Sequence, residues 1–144
     1  MPVEATVGGL TFSAYPTDAT TYTLDVGGLD GWFMGGASMR REYVDRPANN
    51  GQFATPGYLS GRIVTLTGKV LGNGDEEAFE AAIDALDALL ADGGSDTLTV
   101  TTDAGASTAT VLRYGEPQLK IAVWGSMANY QIQLWAPNPT RTPV

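Results

Sequence analysis

The chain carries sixteen carboxylates but no histidine and no cysteine, and this limits what chemistry it could do. Without imidazole or thiolate, the commonest neutral-pH general base, thiol nucleophiles and structural zinc ligands are all missing. Carboxylate chemistry remains. Two of Asp25, Asp30, Glu42 and Glu116 could flank a glycosidic bond as acid and base, but no spacing in the sequence selects a pair. Glu76, Glu80, Asp84 and Asp87 form a stripe that could attract a hard cation. Such a cation wants oxygens converging from several directions, whereas a helical stripe points them outward, so a solvated face is the better account. Asp92-Gly93-Gly94-Ser95-Asp96 has the outline of a calcium loop without its twelve-residue ligand pattern, and reads as a helix cap. Gly27-Gly28 and Gly35-Gly36 lack the strand-to-helix context of a phosphate loop and read as turns. Trp32, Trp124 and Trp135 could stack on a sugar, but core or subunit-interface packing accounts better for bulky rings at strand ends. No catalytic set emerges. The expectation is a non-enzyme with no cofactor and no metal.

The elements that would position these groups centre on Arg62 to Val100. This stretch reads as a strand, a Gly72-Asn73-Gly74 turn, one amphipathic helix over about 75–91, a Gly93-Gly94 stop and a second strand. Phe79, Ile83, Leu86 and Leu90 recur at helical spacing, with Ala78, Ala82 and Leu89 widening the face. Asp75 to Glu77 sit where the helix dipole favours negative charge. No other segment reads as a helix. Around it, Glu4 to Val7 and Leu10 to Ala14 flank Gly8-Gly9 as a hairpin, and Thr20 to Val26 alternates as a half-buried strand. Ser38 to Val44, Thr97 to Thr102 and Thr108 to Tyr114 read as further strands. Gln118 to Trp124 and Tyr130 to Trp135 form a closing pair across Gly125 to Asn129. Asp45 to Gly57 reads as a long loop, either a surface loop or an arm that packs on a neighbouring subunit. The fold class is therefore mainly β (α+β), an antiparallel sandwich or split barrel with one flanking helix. Residues 1–136 form a single domain and 137–144 a Pro-rich tail or linker stub.

The net charge of -8 comes from one place. Asp75, Glu76, Glu77, Glu80, Asp84, Asp87, Asp92 and Asp96 lie together with no Lys or Arg among them, and the other acids balance the eight bases. Basic residues are few and scattered, which argues against a nucleic-acid-gripping face. Met1 to Leu10 has neither the basic nor the apolar region of a signal peptide, and no run of residues is long and apolar enough to span a bilayer.

Taken in order, Gly61-Arg62-Ile63 through Gly68, the helix with its IDALDALL end, the Thr-Leu-Thr-Val strand, Val111 to Tyr114 and the closing IQLWAPNP resemble a known family. This is the N-terminal hub domain of distal tail proteins, also called minor tail proteins, of long-tailed non-contractile bacteriophages, which is related to tail-tube proteins. The resemblance covers about Asp30 to Pro139. It implies a structural virion protein, made in the host bacterial cytoplasm, that self-associates into a ring, typically a hexamer. Such a ring would join the tail tube to tail-tip proteins and pass DNA through its lumen without specific binding or a membrane anchor. Larger relatives continue into a second domain after a segment like Ala136 to Pro139. The long loop supplies the candidate subunit interface: Arg46, Asn49, Asn50, Gln52 and Phe53. A tail-tube subunit or a carbohydrate-binding β-sandwich module are the alternatives.

Overall fold

The computed structural model describes residues 3–15, 20–25, 27–33 and 60–143, with the backbone alone of 39–40, 44–45, 52–53 and 58–59. Its strands are β1 (Glu4–Val7), β2 (Leu10–Ser13), β3 (Tyr22–Thr23), β4 (Leu29–Asp30), β5 (Met39–Arg40), β6 (Val44–Asp45), β7 (Gln52–Phe53), β8 (Tyr58–Leu59) and β9 (Arg62–Leu71). After helix α1 (Glu76–Ala88) come β10 (Ser95–Thr102), β11 (Gly105–Arg113), β12 (Gln118–Val123), β13 (Met127–Ala136) and β14 (Thr142–Pro143).

Seven of these close on themselves in the order β13-β11-β10-β1-β2-β3-β9, with β9 returning to β13. The architecture is thus a closed barrel, not the expected sandwich or split barrel. Alternation along each strand identifies a buried face, but a sheet that curls shut and two sheets packed face to face bury the same positions. The pairing that decides between them is β9 with β13, in register from Arg62–Ala136 to Leu71–Met127. The other unexpected rung is parallel: β2 runs beside β3 through Phe12–Tyr22 and Ser13–Thr23. Closure is steeply staggered. Val70 faces Ala128 directly, whereas rungs followed the other way pass Tyr22, Phe12, Ala5, Val100 and Ser107 and arrive at Pro143. A large stagger means strongly tilted strands.

Local chemistry explains the connections. Gly8 and Gly9 have φ of 58° and 81°, the two positive values that a two-residue turn between right-twisted strands requires. Asp75 caps α1, its carboxylate accepting from the amides of Glu77 (3.0 Å) and Ala78 (3.2 Å). The helix ends earlier than the Gly93-Gly94 signal suggests. Leu89 is buried, and the chain turns at Leu90, which takes φ of 52°. Leu89 reaches the turn at Gly8, so tertiary packing sets the stop.

The helix lies over one mouth of the barrel and buries Phe79, Ala82 and Leu86. The Tyr22 hydroxyl donates to the Ala82 carbonyl at 2.6 Å. At its far end the Arg113 guanidinium donates to the Asp87 carbonyl at 2.8 Å. Beneath it Phe12, Tyr22 and Tyr130 form an aromatic cluster with centroids 5.2 to 6.5 Å apart. Tyr130 faces Gly68 across the β9–β13 ladder, and its hydroxyl donates to the Thr23 carbonyl.

Burial, with lesser contributions from Asp25 and Tyr22, pushes the Tyr130 hydroxyl far above its ordinary range, and burial raises Tyr22 as well. In the unfolded chain both ionise near pH 10. Above that pH the unfolded state binds fewer protons than the folded one, so stability falls as pH rises. Urea denaturation between pH 8 and 11 should show a midpoint that is flat to about pH 9.5 and then drops. Tyr130→Phe should reduce the drop, and an unchanged pH profile in that variant would reject this account.

At the other mouth, residues after β13 are strung along the barrel. Thr142 and Pro143 pair with Thr108 and Ser107. Arg62 donates to the carbonyls of Gly31 (2.7 Å), Trp32 (3.0 Å) and Pro139 (3.1 Å). Arg141 lies 5.7 Å from the Trp32 ring centroid and 5.8 Å from that of Phe33, within cation–π range. Burial, then the charge of Arg141, lowers the Arg62 pKa from its ordinary value.

Candidate functional site

Three strands, β9, β13 and β12, form the region of the barrel that departs most from a self-contained shell. Among the described residues β12 pairs with β13 alone, outside the seven-strand circuit. It continues the line of β11: Leu112 and Arg113 face Trp135 and Leu134, and then Gln118 to Ile121 face Gln131 to Ala128. Its other edge is unpaired among the described residues, which leaves a row of backbone donors and acceptors facing solvent. Leu119 shares the face of its partner Tyr130, yet it is 40% exposed because no element covers β12 there. Val123 is 51% exposed, and Trp124, at the tip of the β12–β13 hairpin, is 82% exposed. This strand thus leaves both backbone hydrogen-bonding groups and apolar side chains open to solvent.

The outward face of the same strands has a distinct chemistry. β9, β12 and β13 contain no Asp or Glu. Their outward positions include Thr65, Thr67, Gln118, Asn129, Gln131 and Gln133, with Ile63 and Trp135 at one end and Leu71 and Met127 at the other. Lys69, Asn129 and Lys120 stand in one row across the three strands, all exposed. Among the described residues the ion pair present is Arg113 with Asp87 at 3.9 Å, so neither lysine has a carboxylate partner there.

The residues singled out in the sequence fare differently. Arg46, Asn49 and Asn50 lie outside the described residues. Gln52 and Phe53 belong to β7, which pairs antiparallel with β6, and β5 pairs with β8 around that ladder. The stretch read as one long loop therefore contains strand pairing. Glu42 is outside the described residues, while Asp25, Asp30 and Glu116 are exposed. Among the described residues no three metal-ligating side chains come together. Asp92 and Asp96 accept backbone amides, from Gly94 at 2.9 Å and from Gly8 at 2.9 Å. The tryptophans do not form one platform. Trp32 is fully buried, and Trp124 and Trp135 flank opposite ends of β13, roughly 25 Å apart at strand spacing. No helix among the described residues is long and apolar enough to cross a membrane.

Two features went unseen in the sequence. The regular Leu119, Ile121, Val123 alternation signals a buried strand face, and only topology shows that β12 overhangs. The lysine row joins residues far apart in sequence. Its one legible sign is the absence of acids from all three strands.

No family model matches the chain, and no curated protein matches it in sequence. A comparison with solved structures does find a relative in shape. The crystal structure of the Dit protein of phage SPP1, described as a paradigm of the hub adsorption apparatus in phages that infect Gram-positive bacteria, superposes with a TM-score of 0.65. The match covers 96% of this chain. The two chains share a fold. Sequence identity is 14%, and the chain spans 51% of the SPP1 protein, so the likeness is one of architecture.

Proposed function

We propose that the protein is a structural component of a bacteriophage tail that assembles with copies of itself into a ring at the distal end, joining tube to tip and leaving a channel for DNA exit. The fold shared with SPP1 Dit over nearly the whole chain carries this reading. Three further observations support it. The described residues offer no metal cluster, and their carboxylates do not assemble into an acid–base site. The β12 overhang presents an unpaired edge with exposed Leu119, Val123 and Trp124, the kind of surface through which subunits join. The three strands beside it carry no acid, so their outer face can receive a negatively charged surface of a neighbouring subunit.

Light scattering and negative-stain imaging of the purified protein test the proposal. Closed rings are expected, and a monomer at high concentration would overturn it. Leu119→Glu/Val123→Glu places charges on the exposed overhang and should disperse the rings, with a smaller fall in melting temperature than a core substitution because both side chains are already partly in water. The high exposure of Trp124 favours a second reading, a glycan-binding module. In that case tryptophan fluorescence would shift on addition of cell-wall glycans while the protein stayed monomeric.

A further inference from the structure

The chain separates its charges onto two surfaces that do not meet within one molecule, and from this we infer what seats on the β9–β13–β12 face: helix α1 of a second copy. The inference rests on the ring reading and names its contact. On α1, Phe79, Ala82 and Leu86 face the barrel, so at 100° per residue Glu77 and Asp84 point directly away from it, with Glu80 to one side. All three are exposed. Glu77 and Asp84 lie two turns apart, roughly 10 Å along the helix. Between them Ala81 and Glu80 stand on either side of that line, both exposed, so on the alanine side the helix can approach a flat sheet closely. On the sheet, Lys69 and Lys120 are separated by one strand carrying Asn129, again roughly 10 Å at the spacing of neighbouring strands. Two carboxylates and two ammonium groups therefore match in number and in spacing.

The rest of each surface agrees. No acid on β9, β12 or β13 competes for the lysines. On the helix the basic neighbour is Arg113, which engages Asp87 and not Glu77 or Asp84. The contact joins two different faces of the same chain, which is the heterologous geometry that ring closure requires. Its electrostatic part should weaken with added salt.

Paired charge reversal tests this directly. Lys69→Glu/Lys120→Glu and Glu77→Lys/Asp84→Lys change exposed side chains only, and circular dichroism with thermal melts should confirm that both variants fold. Each alone should raise the concentration needed for ring assembly about tenfold or more. Mixed in equal amounts, they should co-assemble, because each then offers the other an opposite charge. Three results would overturn the inference: either variant assembling like the parent, no rescue on mixing, or lysine reversal that spares assembly and only abolishes salt-sensitive retention of duplex DNA. The last would assign the face to nucleic acid. A parent protein that forms no ring would instead refute the ring reading itself.

Discussion

Gly68→Val is expected to keep the barrel from closing properly. Gly68 sits inside β9 opposite Tyr130, where a Cβ would fall on the Thr23 carbonyl and lie 3.0 Å from the Tyr130 hydroxyl. Neither neighbour is free to withdraw. The Thr23 carbonyl accepts the Tyr130 hydroxyl, and the Thr23 hydroxyl accepts the Lys69 amide at 3.0 Å. Glycine here makes the hole into which a cross-strand tyrosine and a backbone carbonyl fit. Filling it forces β3 away from β9, and β3 is a link in the closed circuit. Overpacking of this kind costs about 3 kcal/mol or more when backbone must move, a fall in melting temperature of about 10 °C for a domain of this size. Gly68→Ala should move the same way by less. A melting temperature within 2 °C or so of the parent for the valine variant would disprove the argument.

Trp32→Ala should cost as much or more. Trp32 is the largest fully buried side chain among the described residues, so removing its ring leaves a cavity worth about 3–5 kcal/mol. Trp32→Phe separates volume from polarity. The indole nitrogen is buried without a hydrogen-bond partner. Phenylalanine therefore removes a donor that stabilises nothing and leaves no acceptor stranded. Its cost should be less than half that of alanine, read from urea midpoints at constant m-value. Equal losses in the two variants would mean that the indole N–H matters after all. Arg141 stacks on this ring, and phenylalanine keeps a π face for it.

What the residues disclosed in advance follows physical lines. The helix was legible because Phe79, Ala82, Leu86 and the acids opposite them obey one period, and its start because Asp75 to Glu77 carry the negative charge that a helix N-terminus favours. The hairpin at Gly8-Gly9 was legible because two consecutive positive φ angles demand glycine. Closure was not, since it depends on β9 meeting β13 at long range and on a parallel rung of two residues between β2 and β3, neither of which leaves a periodic trace. The overhang of β12 was illegible for a related reason. Leu119, Ile121 and Val123 alternate as a buried strand would, and only the partner list shows one side uncovered. Trp32 was open to either core or surface, because a single tryptophan between turns fits both.

The order of the barrel strands also bears on how the chain is made. β1 finds its partner in β10, with Ala5 opposite Val100, and the circuit cannot shut until β13 joins β9 and β11. A chain leaving the ribosome thus displays its first hairpin long before that hairpin has a sheet to join, while α1, whose backbone hydrogen bonds are local, can form early. Most native contacts span great sequence distance, which slows folding and prolongs exposure of unpaired strands. For a protein that assembles with its own copies, as proposed above, the hazard is premature edge pairing between nascent chains. The lysine row is assembled only when β13 joins β9 and β12, so before closure the negative helices of incomplete chains repel one another, and the seat that we infer for them forms last.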